Sequence, residues 1–317
     1  MKNVAVLMPH WIGEFVLALS VVSRKAQEED SQITLIVPQH LIPLCTLFSP
    51  LPYFPYRRDS RSELLQSISG VKRQNFDKLY ILTNSLSTSW FGLRTGIPER
   101  RGISSELMSP FLTQALPPST DTDREHLTRD YSEILEVAYA APETWPGITI
   151  PSHEDYSNTV ALCPGSNHGK AKQWSGFREM IKLLPSYQFV ILGDENDKEI
   201  AKAVASHFPH RVRNITGQTT IEAAAAIVAS VSVVISNHSG LMHLAGFLGT
   251  PVVAIFGSTS AVRHRPLGEA VRCAVPTGAP CTVCNKGTCA RKDFICLNSV
   301  SPGQVMELAG EIVRQPA

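Results

Sequence analysis

The sequence predicts an α/β protein built as two lobes, each a parallel sheet flanked by helices. Three observations predict it. Short β-rich apolar runs alternate with amphipathic stretches along the chain, which is the pattern of βαβ units. The alternation comes as two series, parted by Pro142, Pro146, Gly147 and Pro151 within ten residues. The chain has 317 residues, more than the roughly 100–150 of a common single domain, so two separate cores fit.

In the first series, 3–8, 33–37 and 78–82 read as strands. The stretch 13–27 reads as a helix with Phe15, Leu19 and Val22 on one face, and 62–73 and 126–140 as two more helices. The second series opens at 159–165, with strands at 188–192, 231–235 and 251–256. Helices fall at about 175–184, 196–207, 219–229 and 239–248, and a last one at 302–315 carries a proline in its first turn. The expected boundary puts residues 1–150 in an N-terminal Rossmann-like lobe and 151–317 in a C-terminal one, the two sheets facing across a cleft. Ligands of such sheets bind beyond the carboxyl ends of the strands.

Lys and Arg total 29 against 28 acids, a net charge of +1, which predicts no general attraction to nucleic acid. No apolar run approaches the roughly 20 residues that cross a bilayer. The N-terminus is interrupted by Pro9, Trp11 and Glu14 and reads as a first strand rather than a signal peptide. Seven cysteines are too few for a disulfide scaffold, so a reduced, cytoplasmic setting is expected.

Three strand-to-helix junctions carry the chemistry: "PHWIGEFV" (9–16), "CPGSNHGKAKQW" (163–174) and "SNHSGLMH" (236–243). A helix N-terminus offers unpaired N–H groups and a partial positive charge, and so favours phosphate. In the third junction Gly240 permits close backbone approach, Ser239 caps or bonds a phosphate oxygen, and His243 lies one turn on, on the same face. An ordinary N-cap beside two exposed histidines is the alternative. In the second, Lys172 supplies a point charge to a phosphate, with a plain surface lysine as the alternative, and Lys170 reads as the plain one. In the first, Glu14 suits a general base, or else only complements the helix dipole.

Together these strings, with "ITGQTTIEAAAAIVAS" (215–230), "SNHSGLMHLAGFLGTPVVAIFGSTS" (236–260) and "CLNSVSPGQVMELAGEI", resemble the heptosyltransferase branch of glycosyltransferase family 9, closest to its heptosyltransferase II type. The resemblance runs along nearly the whole chain. It implies a GT-B fold, with the donor on the C-terminal lobe and the acceptor on the N-terminal one. It also implies an inverting transfer of heptose from ADP-heptose to the inner core of lipopolysaccharide, with no metal or other cofactor required for catalysis. The acceptor would be a lipid A-linked core sugar, reached from the cytoplasmic side by a protein peripheral to the inner-leaflet membrane surface. Residue by residue, Lys172 matches the lysine on the donor phosphates, Ser239, Gly240, Leu241 and His243 match the diphosphate turn, and Glu222 falls in the segment near the donor nucleoside.

Two positions depart from the family pattern. Glu14 stands where relatives carry the Asp taken as catalytic base, and His238 stands where they carry an acid near the donor sugar. Two alternatives therefore stay open: a GT-B enzyme with another nucleotide sugar or acceptor, and an inactive nucleotide-binding relative. For a polyanionic acceptor, Arg57, Arg58 and Arg61 form a cationic loop, with Arg100 and Arg101 further on. The segment 108–118 is apolar and either touches lipid or forms a core loop.

The loop spanning 273–296 reads Cys281-x2-Cys284-x4-Cys289-x6-Cys296 after Cys273. Four thiolates at this spacing would close a structural zinc site, with Cys273 as a substitute ligand; free thiols or a redox pair are the alternative. Cys45 and Cys163 read as small buried hydrophobes.

Overall fold

The computed structural model describes residues 2–28, 32–104, 107–119, 124–151, 156–166, 169–281 and 283–313. They form two compact units, Met1–Ala140 and Ala141–Ala317.

The first unit holds β1 (Asn3–Leu7), β2 (Gln32–Pro38), β3 (Tyr53–Tyr56), β4 (Lys78–Ile81), β5 (Glu99–Ile103) and β6 (Gln114–Leu116). They pair in the order β3-β2-β1-β4-β5-β6, every pair parallel. Parallel strands need helical crossovers, and these are α1 (Ile12–Glu28), α2 (Ile42–Phe48), α3 (Arg61–Lys72), α4 (Leu86–Thr95) and α5 (Leu127–Leu135). In β1, Ala5, Val6 and Leu7 are wholly buried, as a central strand covered on both faces should be. Phe15, Leu19 and Val22 on α1 are wholly buried as well, and each contributes about 1.5–3 kcal/mol. Burial extends to Val16, Leu17 and Ala18, because α1 also packs on α5.

The helix expected over 126–140 is shorter. It ends at Leu135, because Glu136 turns left-handed (φ 58°). Tyr80 Oη donates to the Glu136 carboxylate at 2.7 Å, and Lys78 pairs with it, which holds the carboxyl below its usual range despite the cost of burial. Five elements of this unit escape the periodicity for physical reasons. α2 has only seven residues with Pro43 in its first turn, β3 is an edge strand containing Pro55, β5 carries Arg100 and Arg101, β6 has only three residues, and α4 is rich in Ser and Thr.

The second unit holds β7 (Thr159–Cys163), β8 (Gln188–Ile191), β9 (Val212–Asn214), β10 (Val233–Asn237), β11 (Val252–Ile255) and β12 (Val271–Ala274), ordered β12-β11-β10-β7-β8-β9 and again all parallel. Its helices are α6 (Phe177–Leu183), α7 (Lys198–Ala205), α8 (Ile221–Ser230), α9 (Gly240–Phe247), α10 (Ala261–His264), α11 (Ile295–Asn298) and α12 (Pro302–Gly310). Residues 141–150 pack onto this unit. Trp145 stacks on Phe247 at 5.1 Å and donates through Nε1 to its carbonyl at 2.8 Å.

In both sheets the winding reverses beside the first strand of the unit, between β1 and β4 and between β7 and β10. Such a switch point opens a crevice at the carboxyl ends of the strands. Two cavities, of about 400 and 320 Å³, lie elsewhere. The larger is lined by Thr159, Gln188 and Val212, the first residues of β7, β8 and β9, and so sits at the amino edge of the sheet.

Candidate functional site

Because β10 lies beside β7, the second and third junctions meet at one switch point although 73 residues separate Pro164 from Asn237. Asn237, wholly buried, ties them together. Its Nδ2 donates to the Pro164 carbonyl at 2.6 Å, and its Oδ1 accepts from the Trp174 amide at 3.1 Å. Trp174 in turn donates through Nε1 to the Val300 carbonyl at 2.8 Å, so the loop is anchored at its far end. Sequence reasoning assigned Asn237 no role; its one signal was that an apolar run stops there.

On this base sits the turn into α9. Ser239 occupies the N-cap position, but its side chain makes no cap hydrogen bond and lies 3.0 Å from Ser236 Oγ instead. A cap that turns away leaves the first amides of the helix to a ligand. Gly240 begins the helix, Leu241 is half-buried, and His243 is buried one turn on. His238 is fixed by Nδ1 at 2.7 Å from Thr259 Oγ1 and by packing on Phe256 at 5.2 Å.

Lys172 ends a 3-10 turn, Lys170–Lys172, and is half-buried, whereas Lys170 is exposed. Ser258 Oγ donates to the Ala171 carbonyl at 3.2 Å, which ties this turn to the loop after β11. Lys172, His238, Ser239, Gly240 and His243 thus gather around the ends of β7, β10 and β11. Glu222 is exposed in the first turn of α8, the helix that follows the edge strand β9. It stands at the far side of the same sheet.

In the first unit, Glu14 lies in the first turn of α1 at the carboxyl end of β1, and is half-buried. Its surroundings contain residues the sequence did not mark. His10 and His40 meet edge to face at 4.4 Å, and His40 Nε2 lies 2.9 Å from the His10 carbonyl. Burial, then the charges of Arg58 and His40, push His10 down to about 4, so it is neutral at physiological pH. Arg57, Arg58 and Arg61 are exposed, and Arg57 Nε donates to Gln39 Oε1 at 2.9 Å. Ser60 caps α3, accepting from the Glu63 amide at 3.2 Å, so Arg61 is the first helical residue.

Other expectations are corrected. Arg100 and Arg101 are not cations offered to a ligand. Arg100 Nε donates to the Phe111 carbonyl at 2.9 Å, and Arg101 donates to the carbonyls of Ile134 and Glu133 at 3.0 Å each. They lock β5 to its neighbours. The apolar segment 108–118 forms a 3-10 turn, Ser109–Phe111, and then β6 at the sheet edge, with Met108 and Leu112 buried. Cys45 and Cys163 are buried as expected, and burial pushes their thiols up to about 11 and about 12.

The zinc expected on Cys281, Cys284, Cys289 and Cys296 finds no support in the geometry. Among the described residues no three His, Cys, Asp or Glu side chains form a group able to hold a metal ion. Cys296 is buried on α11 while Cys284 is exposed; burial, and further the nearby Cys281, Cys284 and Cys289, raise the Cys296 thiol. Cys273 stands apart on β12 and is raised to about 11 by burial.

Known proteins resemble this chain over most of its length. The chain is 26% identical over 305 residues to lipopolysaccharide heptosyltransferase 2 of Salmonella typhimurium, covering 85% of this chain and 87% of that protein. It is 25% identical over 308 residues to the Escherichia coli enzyme of the same name, with the same coverage. The solved structure of E. coli ADP-heptose LPS heptosyltransferase II shares the fold with a TM-score of 0.80, at 22% identity and 98% of each chain. The fold is therefore GT-B, two Rossmann-like units. The pattern of glycosyltransferase family 9 (heptosyltransferase) matches residues 64–295, most of the chain, and the protein belongs to that glycosyltransferase family.

Proposed function

We propose that this glycosyltransferase moves a heptose from ADP-heptose to a hydroxyl of the lipid A-linked inner core of lipopolysaccharide, in one inverting displacement. The observation that carries the reading is the turn at the β7–β10 switch point. An uncapped helix start, Gly240, two histidines and Lys172 there suit a sugar diphosphate. As the glycosidic bond to phosphate breaks, charge develops on the departing ADP, and the α9 amides, Lys172 and His243 stabilise it without reorganising. The sugar becomes oxocarbenium-like, the acceptor oxygen attacks its opposite face, and Glu14 takes the proton from that oxygen. Leu241 shapes the turn, and Glu222 reaches toward the nucleoside.

The N-terminal unit takes the acceptor, and Arg57, Arg58 and Arg61 meet its phosphates and carboxylates by paired hydrogen bonds. A lipid-linked acceptor brings the protein to the inner-leaflet surface from the cytoplasm as a peripheral enzyme. No helix among the described residues is long and apolar enough to cross a membrane. No step uses the cysteine loop. Anaerobically purified protein is expected to titrate as free thiol at Cys281, Cys284, Cys289 and Cys296, and one equivalent of zinc by elemental analysis would restore the structural metal site.

The test is transfer from a panel of ADP-, GDP- and UDP-sugars to a heptose- or Kdo-terminated lipid A acceptor. Turnover with ADP-heptose alone, with inverted anomeric configuration in the product, is expected. Preference for another nucleotide sugar would favour the second reading, which His238 motivates. Nucleotide binding without transfer would mark an inactive relative. Within this scheme Lys172→Ala is expected to raise the donor KM or lower kcat/KM by about tenfold or more, the worth of a charge-assisted phosphate contact of about 1.5–3 kcal/mol. An unchanged kcat/KM would return Lys172 to the surface.

A further inference from the structure

His264 belongs to none of the three junctions, and the fold brings it to one of them. Its ring on α10 lies 5.0 Å from the ring of His238, and the ring of His243 on α9 lies 5.9 Å from His238 on another side. Phe256, buried, and Thr259, 2.7 Å from Nδ1, hold His238 between them. Three imidazoles, from the turn between β10 and α9, from α9 and from α10, therefore gather near the start of α9. His238 and His264 are half-buried, so a ligand can reach them, whereas His243 is buried. Charged residues stand on and beside α10 and on the joined loop. Arg263 precedes His264 on α10, Arg265 follows it and is paired with Glu143, and the Lys172 turn is joined to the loop after β11.

We propose that His238 and His264 form a proton-coupled clamp on the diphosphate of the donor. The clamp rests on the donor-site reading above and adds His264 to it. A histidine changes charge near neutral pH. Two imidazoles this close oppose each other's protonation. A diphosphate laid against the α9 amides removes that opposition, so binding draws in a proton. The sign follows. Protonation is favoured in the complex, so affinity rises as pH falls through the histidine range and declines as pH rises through it. The same cations then face the charge that develops on the departing nucleoside diphosphate.

Calorimetric titration with an ADP-sugar tests the clamp, because its diphosphate diester does not itself titrate near neutral pH. Run in buffers of different ionisation enthalpy, the parent is expected to take up about 0.5–1 proton per donor bound near neutral pH. Its affinity is expected to fall about tenfold between about pH 6 and 8. His264→Gln and His238→Gln should each remove most of the uptake and flatten the pH dependence. His264→Lys should retain tight binding with no uptake, a pattern that mere loss of packing would not produce. His210→Gln, at an exposed histidine in the loop before β9, should behave as the parent. Thermal melts establish that each variant is folded. Donor binding with no proton uptake, or with uptake unchanged in His264→Gln, overturns the clamp and leaves the donor site standing. Failure of every ADP-, GDP- and UDP-sugar to bind at any pH overturns both.

Discussion

Glu14→Gln is expected to lower kcat by about 10²- to 10⁴-fold, the usual contribution of a general base. Glutamine keeps the shape and the hydrogen-bonding capacity of the side chain but cannot accept a proton at neutral pH. Donor affinity should change little, because Lys172 and the α9 turn belong to the other unit. Glu14→Asp should retain substantial activity, since it keeps the carboxylate and shortens the reach by one methylene. Steady-state rates with donor and acceptor varied separately will resolve the two effects. A Gln variant that works at the parental rate would reduce Glu14 to a partner of the α1 dipole. His10, which stays neutral beside Arg58, would then be the next group to test as base.

The second large effect is expected at Asn237, which touches no substrate in the scheme above. Asn237→Ala removes both bonds of the side chain and leaves the Pro164 carbonyl and the Trp174 amide buried without their partner. Each such group costs about 1–3 kcal/mol, so a loss of about 2–6 kcal/mol is expected. Against the roughly 5–15 kcal/mol that holds a domain folded, this is a large share. The donor KM should rise at least about tenfold as well, because the Lys172 turn follows the loop that Asn237 clamps. Asn237→Asp separates the two roles. It can still accept from Trp174 but sets a carboxylate against the Pro164 carbonyl, so it should fail nearly as badly despite similar size. Denaturant unfolding within 0.5 kcal/mol of the parent for Asn237→Ala would show that water replaces the clamp, about the scatter of an ordinary surface substitution.

Much of this molecule was legible from residues near one another in the chain. α1 declared itself through Phe15, Leu19 and Val22, and all three are wholly buried. The three junctions were visible because glycine, small polar residues and the end of an apolar run mark a strand-to-helix turn locally. The helix over 126–140 was overestimated because its stop, Glu136, is set by Lys78 and Tyr80 from a distant strand. Arg100 and Arg101 read as ligand cations because sequence shows their charge and not the backbone carbonyls that take it up.

The sequence by itself determined that there are two parallel α/β series, where their strands end, and which residue types stand at those ends. The reason is physical: periodicity, caps and glycine act over a few residues. Only the tertiary structure decided which ends meet. Strand order sets β7 beside β10 and so closes Asn237 onto Pro164 and Trp174. It also draws His264 to His238, and His40 to His10, across loops whose length carries no record of the pairing. Those contacts depend on hydrogen bonds between strands far apart in the chain, which local pattern cannot encode.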